Sequence, residues 1–193
     1  MPLASETGHS ILELSNLAMT ASTATDVLVR WNSLNAEAAA SEVLPCCGSR
    51  AWADGVAARR PFASLEDLFA ASDAVWRDLP DQDWQQAFDS HPRIGQQHAR
   101  AATAESLAMS SEEQRAAILP DATAKLALAE GNRKYEDRFG RIFIVCASGK
   151  SAAEILANLE RRMQNSAADE LIEAAGQQRK ITQLRLRRWL GVN

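Results

Sequence analysis

The stretch Ile142-Phe143-Ile144-Val145-Cys146-Ala147 is the only run in this sequence that is rich in β-forming residues. A single run of this kind cannot build a sheet, because its backbone has no neighbouring strand to pair with. It is therefore predicted to be an extended, buried connector, or a short helix in which packing overrides propensity. With helix signals in the rest of the chain, this indicates an all-α fold.

Helix signals lie on both sides of this run. Gly140 is positioned to end a long helix before it, and the capping-box pattern Ser151-Ala152-Ala153-Glu154 begins another after it. Comparable signals elsewhere predict a single compact domain of about eight or nine helices. The predicted starts are Thr25 or Asp26, Asn35, Ser49, Ser64, Ser110, Pro120-Asp121, Ser151 and Ser166, and the predicted breaks include Pro45, Gly48, Pro61 and Pro80. Residues 1–20 are predicted to be a disordered or loosely docked extension, and residues 21–193 the helical domain.

The composition is that of a water-soluble globular protein, with 46% apolar and 24% charged residues. A net charge of −4 argues against a nucleic-acid partner, and the apolar runs are too short to cross a membrane. The N-terminus has no signal-peptide pattern, and three cysteines that cannot all pair favour free thiols in a reducing, cytoplasmic compartment. The spacing of the cysteines and histidines is not that of a metal site, so no metal is expected.

Function is predicted to centre on Asp89-Ser90-His91-Pro92-Arg93-Ile94-Gly95. Pro92 disfavours the α conformation for His91, so a helix should end there and hold an imidazole at a helix-to-loop corner. Histidine has the side-chain pKa nearest neutrality, which suits proton transfer. The alternative interpretation is a helix-terminal histidine bonded to a carbonyl.

Residues 92–105 form the longest polar stretch without an apolar stripe, which predicts a functional or mobile loop. The pattern Ser110-x-x-Glu113 follows and predicts a helix start with a capping box. A helix N-terminus also favours an anionic ligand, so Glu113 could face either its own backbone or a substrate. Spacing alone favours the cap.

Two further patterns have simpler explanations than a ligand site. Gly149-Lys150-Ser151 resembles the end of a phosphate-binding loop, but Ile144 stands where that loop needs its first glycine, so nucleotide binding is only a weak alternative. A basic cluster near the C-terminus is predicted to be a solvated helix face, with partner or dimer contacts as an alternative. Its members are Arg179, Lys180, Arg185, Arg187 and Arg188.

From about residue 30 to about residue 190, separated motifs together resemble one family, the 2-oxo-4-hydroxy-4-carboxy-5-ureidoimidazoline (OHCU) decarboxylases that complete the conversion of urate to allantoin. No single motif is decisive, but their order is specific. They are Asn35, Cys46-Cys47-Gly48-Ser49 with Trp52, Arg60-Pro61-Phe62, His91-Pro92-Arg93-Ile94-Gly95, Ser110-x-x-Glu113-Gln114, Asn132-x-x-Tyr135, Phe139-Gly140, Phe143-Ile144-Val145, Arg162-x-x-Asn165, Lys180-Ile181 and Arg185-Leu186.

The resemblance implies an all-α, generally dimeric enzyme that needs no cofactor. It makes His91 the catalytic histidine and Glu113 the carboxylate beside the substrate. The substrate-binding residues that it implies are Pro92, Ser110, Gln114, Arg162, and the backbone of Phe143, Ile144, Val145, Cys146 and Ala147. The substrate has a C=N bond beside the carbon that loses CO₂, so it contains its own electron sink. The alternative function is a non-catalytic helical module that binds a ligand or a protein, in which His91 and Glu113 are only caps.

Overall fold

The computed structural model describes residues 23–93, 103–116 and 122–192, and the side chains of 111–116 and 122–125 lie outside that description. In this part of the chain there are nine helices and no strand, which confirms the predicted all-α class. The expected N-terminal extension, residues 1–20, and most of the polar stretch 92–105 lie outside the described residues. The helices are α1 (residues 23–32), α2 (Ala36–Cys47), α3 (Arg50–Ala57), α4 (Leu65–Asp78), α5 (Asp81–Asp89), α6 (Ala104–Ala116), α7 (Ala122–Phe139), α8 (Ala152–Arg162) and α9 (Ala167–Leu190).

Most helices begin where a short polar side chain caps the first turn, as predicted. The side chain of Asn35 accepts from the Ala38 amide at the start of α2, and Ser151 and Glu154 form the complete capping box of α8. The predicted break at Pro45 is wrong, because Pro45 lies inside α2. A proline here leaves the carbonyl of Ser41 without its helical donor, but Ser41 is exposed and water can replace that donor. The helix ends two residues later at Cys47, and Gly48 is its C-cap.

The core has two parts that meet at the segment 142–147. The larger part packs α2, α3 and α9 around the buried rings of Trp31 and Trp52. The smaller part lies between α7 and α8 and contains Tyr135 and Ile155. None of the described helices is both long enough and apolar enough to cross a membrane.

The segment 142–147 has no regular secondary structure and its residues 143–147 are buried, which confirms the extended connector. Its side chains alternate between the two parts of the core. Ile144 and Cys146 belong to the larger part, whereas Phe143, Val145 and Ala147 belong to the smaller one. Because successive side chains of an extended chain point to opposite sides, a segment between two cores must be apolar at every position. That requirement explains the only β-rich run in a helical protein.

Candidate active site

A cleft of about 480 Å³ lies where the end of α5, the middle of α6, the segment 142–147 and α9 meet. This volume includes the open solvent at the mouth of the cleft. Eight of the residues expected at the site, His91, Pro92, Ser110 and residues 143–147, line it. The complete lining consists of His91, Pro92, Ser110, Phe143, Ile144, Val145, Cys146, Ala147, Ser148, Ile181 and Leu184.

His91 lies at the end of α5, where the sequence predicts it. The helix ends at Asp89, and the His91 amide closes the last turn by donating to the Phe88 carbonyl at 3.0 Å. The side chain is only 8% exposed, and its Nε2 atom has no hydrogen-bond partner. The interpretation as a helix-end histidine bonded to a carbonyl through Nε2 therefore does not hold. A buried ring nitrogen without a partner at a cleft is suited to bind a ligand group.

The environment of His91 favours the neutral imidazole. Burial, and secondarily the positive charge of Arg185, lower the pKa of His91 from 6.5 to about 3. Gln178 lies close enough to oppose this shift, although neither Nε2 of His91 nor Oε1 of Gln178 has a hydrogen-bond partner. The near-neutral pKa that histidine usually has is thus not retained here. In the free protein the ring is neutral at physiological pH and can accept a proton.

Folding stability is expected to fall as the pH drops below 6.5. The unfolded chain takes up a proton at His91 near pH 6.5, whereas the folded chain does so only near pH 3. Between these values the unfolded state binds more protons, so this group lowers the free energy of unfolding by about 1.4 kcal/mol per pH unit. Urea unfolding at several pH values between 7.5 and 5 measures the slope. His91→Gln should flatten it, and an equal slope in both proteins would contradict the pKa shift.

Gly48 positions the corner that carries His91. It has a left-handed φ of +87°, and a Cβ built there would lie 2.1 Å from Ser90 Oγ and 2.5 Å from Ser90 Cβ. Ser90 is buried and donates to the Ala87 carbonyl at 2.7 Å, so it cannot move freely. The close approach of α2 to α5 at Ser90 therefore requires glycine at position 48. Ser90 immediately precedes His91 in the chain.

Gly48→Ala is expected to lower the free energy of unfolding by about 1–3 kcal/mol, because it adds backbone strain and a clash with Ser90. Chemical denaturation measures the loss. Gly176→Ala is the matched control, since a Cβ at this helical glycine meets nothing within 4 Å. That control should be neutral or slightly stabilising. Equal stability of the two variants would show that α2 and α5 can separate at little cost.

Ser110 lies in the middle of α6, so the predicted helix start and capping box at Ser110 and Glu113 are wrong. The helix begins after Thr103, whose Oγ1 atom accepts from the Ser106 amide at 3.1 Å. The Ser110 hydroxyl instead accepts from Arg185 Nη2 at 2.8 Å. Glu113 and Gln114 follow within one turn on the same helix, and their side chains lie outside the described residues.

Arg185 does not line the cleft, but it contacts Ser110, which does. The predicted solvated face is wrong for Arg185, because its side chain is fully buried. Its Nη1 donates to Ser106 Oγ and to the Pro45 carbonyl, both at 3.3 Å. The available signal was its spacing, seven residues after Gln178 and four after Ile181, on the buried face of α9. Arg179, Lys180 and Arg187 are exposed, as predicted.

Arg162 lies behind the segment 142–147 and does not line the cleft. It is fully buried and bonded to the carboxylate of Glu170 and, at 2.6 Å, to the carbonyl of Ile144. The donors of this residue, which the resemblance assigns to substrate binding, are thus bonded to groups of the protein. Among its partners, Ile144 lines the cleft.

The backbone of the segment has one bonded edge and one open edge. The C=O groups of Ile144 and Cys146 accept hydrogen bonds from side chains, and the N–H of Cys146 donates one to a side chain. By contrast, no hydrogen bond among the described residues involves the N–H or C=O of Val145 or the N–H of Ala147, although both residues are buried and line the cleft. Along the chain, the open edge presents the N–H of Val145 as a donor, the C=O of Val145 as an acceptor and the N–H of Ala147 as a second donor.

The phosphate-loop alternative at 149–151 does not fit the structure. Lys150 donates to the Cys146 carbonyl at 2.7 Å, and Ser151 caps α8. Among the described residues, no group of three or more His, Cys, Asp or Glu side chains is placed to hold a metal ion. The polar groups that the structure describes at the cleft are an imidazole, hydroxyl groups and backbone, with a buried guanidinium nearby.

Comparison with known proteins relates the chain to one family. The sequence model of OHCU decarboxylase matches residues 32–187. The chain is 38% identical to the uric acid degradation bifunctional protein TTL of Arabidopsis thaliana over 73% of the chain, but it spans only 44% of that protein. It is 31% identical to the 2-oxo-4-hydroxy-4-carboxy-5-ureidoimidazoline decarboxylase of Mus musculus, over 79% of the chain and 83% of the mouse protein. A crystal structure of OHCU decarboxylase in the presence of (S)-allantoin has 34% identity and a TM-score of 0.65, over 75% of the chain and 94% of that protein.

Proposed function

The chain belongs to the OHCU decarboxylase family, and we propose that it converts 2-oxo-4-hydroxy-4-carboxy-5-ureidoimidazoline to (S)-allantoin in urate degradation. The observation that carries the proposal is the buried His91, which lines the cleft with Nε2 unpartnered and lies close to the buried charge of Arg185. This arrangement combines a proton acceptor with a positive potential for a carboxylate. Both are needed to decarboxylate an anionic substrate without a cofactor.

The proposed reaction uses the electron sink within the substrate. The bond from the ring carbon to the carboxylate breaks, and its electron pair forms a double bond to the neighbouring carbon while the C=N pair moves to nitrogen, which takes up a proton. The hydroxyl then loses its proton and becomes a carbonyl, and the neighbouring carbon gains a proton on one face. In sum, CO₂ leaves and one proton is taken up. No cofactor is required to hold the electron pair.

His91 is the proposed proton carrier. Because its pKa is lowered to about 3, the ring begins the cycle neutral and can accept the proton of the substrate hydroxyl. The negative charge of the bound carboxylate offsets part of the Arg185 field and so raises the basicity of the ring when the substrate is present. Pro92 and Ser110 line the cleft beside it.

We propose that the positive charge of Arg185, which lies behind Ser110, stabilises the bound substrate carboxylate. Direct contact of Arg162 with this carboxylate is not part of the proposal. The open edge of Val145 and Ala147 is complementary to a C=O, N–H, C=O sequence, and the ureido and ring amide groups of the substrate provide such groups. On the basis of the family resemblance, Glu113 and Gln114 are proposed as partners of the remaining N–H and C=O groups of the substrate. Their proposed roles rest on sequence position, one turn beyond Ser110 on α6.

Turnover of freshly generated substrate tests the function, with CO₂ release and circular dichroism of the product as readouts. In free solution the carbon is protonated equally from both faces, so an excess of (S)-allantoin identifies catalysis. The assay contains a chelator and no added cofactor, which also tests cofactor independence. Product formation no faster than without protein would favour the non-catalytic binding module instead.

A homodimer and a cytoplasmic location are further proposals. The dimer is supported by the general behaviour of the family, and light scattering of the purified protein tests it by its mass. The location is supported by three buried cysteines, which form no disulfide among the described residues. Burial raises the pKa of Cys47 to about 12. Such thiols are inert in a reducing compartment.

A further inference from the structure

Three side chains hold the bonded edge of the segment 142–147 from three different elements. Arg162 Nη1 of α8 donates to the Ile144 carbonyl at 2.6 Å. Gln177 Oε1 of α9 accepts from the Cys146 amide at 3.0 Å. Lys150, from the turn before α8, donates to the Cys146 carbonyl at 2.7 Å. Each of the three contacts thus fixes one peptide group of the segment.

Peptide planarity transmits each of these contacts to the open edge. In a trans peptide unit the C=O of one residue and the N–H of the next lie in one plane and point in opposite directions. The contact at Ile144 C=O therefore sets the direction of Val145 N–H. In the same way, the Cys146 amide sets Val145 C=O, and the Cys146 carbonyl sets Ala147 N–H. These are the three groups of the open edge.

Arg162 is itself held rigidly. Its Nε donates to Glu170 Oε1 at 2.8 Å, and both side chains of this ion pair are fully buried. Glu170 also accepts from Asn165 at 2.8 Å and from the hydroxyl of Tyr135, whose pKa is raised first by burial and then by Glu170. A buried ion pair is costly unless its remaining hydrogen bonds are satisfied. Here the carbonyl of Ile144 is one of those partners, so the pair and the segment order each other.

We propose that Arg162, Gln177 and Lys150 are positioning residues that aim the open edge of Val145 and Ala147 at the substrate. They touch the backbone from the side away from the open edge, so they act on binding through the peptide groups. The inference rests on the proposed function, because the open edge matters only if the cleft binds a ligand with amide-like groups. It assigns a task to two half-buried side chains, Gln177 and Lys150, that core packing does not require.

Three variants test the proposal by steady-state kinetics and by the affinity for (S)-allantoin. Lys150→Met and Arg162→Lys should raise KM about tenfold, and Gln177→Leu about threefold, since a charged contact contributes more than a neutral one. The dissociation constant of allantoin should rise in parallel, because the product retains the ureido and ring amide groups. The value of kcat should change by less than about threefold, because the chemistry at His91 is not touched.

Controls separate positioning from loss of stability. Lys180→Met removes an exposed charge from α9, the helix of Gln177, and Arg161→Met removes an exposed charge next to Arg162 in sequence. Both controls should leave KM unchanged. Val56→Ala lowers stability in the larger part of the core from α3, a helix that carries none of the three tested side chains. Hydrogen exchange of the peptide covering 143–148 should accelerate in the three positioning variants and not in the controls. Each variant is measured at the same number of degrees below its own melting temperature.

The outcomes distinguish this inference from the proposed function. An active wild-type protein with unchanged KM in Lys150→Met and Gln177→Leu would overturn the inference and leave the function intact. A wild-type protein without turnover would overturn both. If Arg162→Lys does not fold, the two half-buried positions still decide the question, since neither carries a buried charge pair.

Discussion

His91→Ala is expected to reduce kcat/KM by about 10²–10⁴-fold, the usual effect of removing a general acid or base. The ring is the only unpartnered buried imidazole among the described residues, and it lines the cleft. Its removal leaves the substrate hydroxyl without a proton acceptor, so the carbonyl of the product cannot form at the enzymatic rate. A loss smaller than about tenfold would show that another group accepts the proton.

The fold should tolerate this change, because the variant removes a buried polar nitrogen that has no hydrogen bond to lose. The melting temperature measured at pH 7.5 is the check. Asp89→Asn is the matched control at the same helix end, since an asparagine can still accept from Gln85 as Asp89 does at 3.1 Å. That control should retain full activity. A comparable loss in Asp89→Asn would mean that the geometry of the corner, and not the imidazole, limits the rate.

The parts of the site that were predictable from sequence are those that depend on neighbours in the chain. Pro92 dictates the helix end at His91 by a local steric effect. The uninterrupted apolar run at 142–147 dictates burial on both sides. Both features therefore follow from the sequence without any contact between distant residues.

The parts that were not predictable depend on which of several similar signals prevails. Ser110 and Thr103 are both acceptable caps, and the helix-forming residues Ala104 to Met109 allow α6 to start at the earlier one. Arg162 and Arg185 are both buried arginines on helices. The sequence pattern does not reveal that one meets Glu170 and the other Ser110, because these partners are 8 and 75 residues away.

Arg185→Met is expected to raise KM for the anionic substrate by about 10–100-fold, the range for loss of an interaction with a charged group. Arg185 is a buried positive charge that lowers the pKa of the imidazole. Methionine keeps much of the side-chain volume but removes the charge. Steady-state kinetics at pH 7.5 measure the effect. Arg179→Met, which removes an exposed arginine on the same helix that pairs with Asp73, is the control.

A purely structural role for Arg185 predicts a different pattern, since Ser110 and Ser106 would lose their donor and the cleft would loosen for every ligand. Allantoin separates the two explanations, because decarboxylation has removed its negative charge. If Arg185 acts by charge, the dissociation constant of allantoin should change by less than about threefold while KM rises. The pKa of His91, followed by NMR, should also rise above about 3 in Arg185→Met, yet stay below 6.5, because burial is the larger cause of its depression. Equal losses of affinity for substrate and allantoin, with an unchanged His91 titration, would assign Arg185 to packing alone.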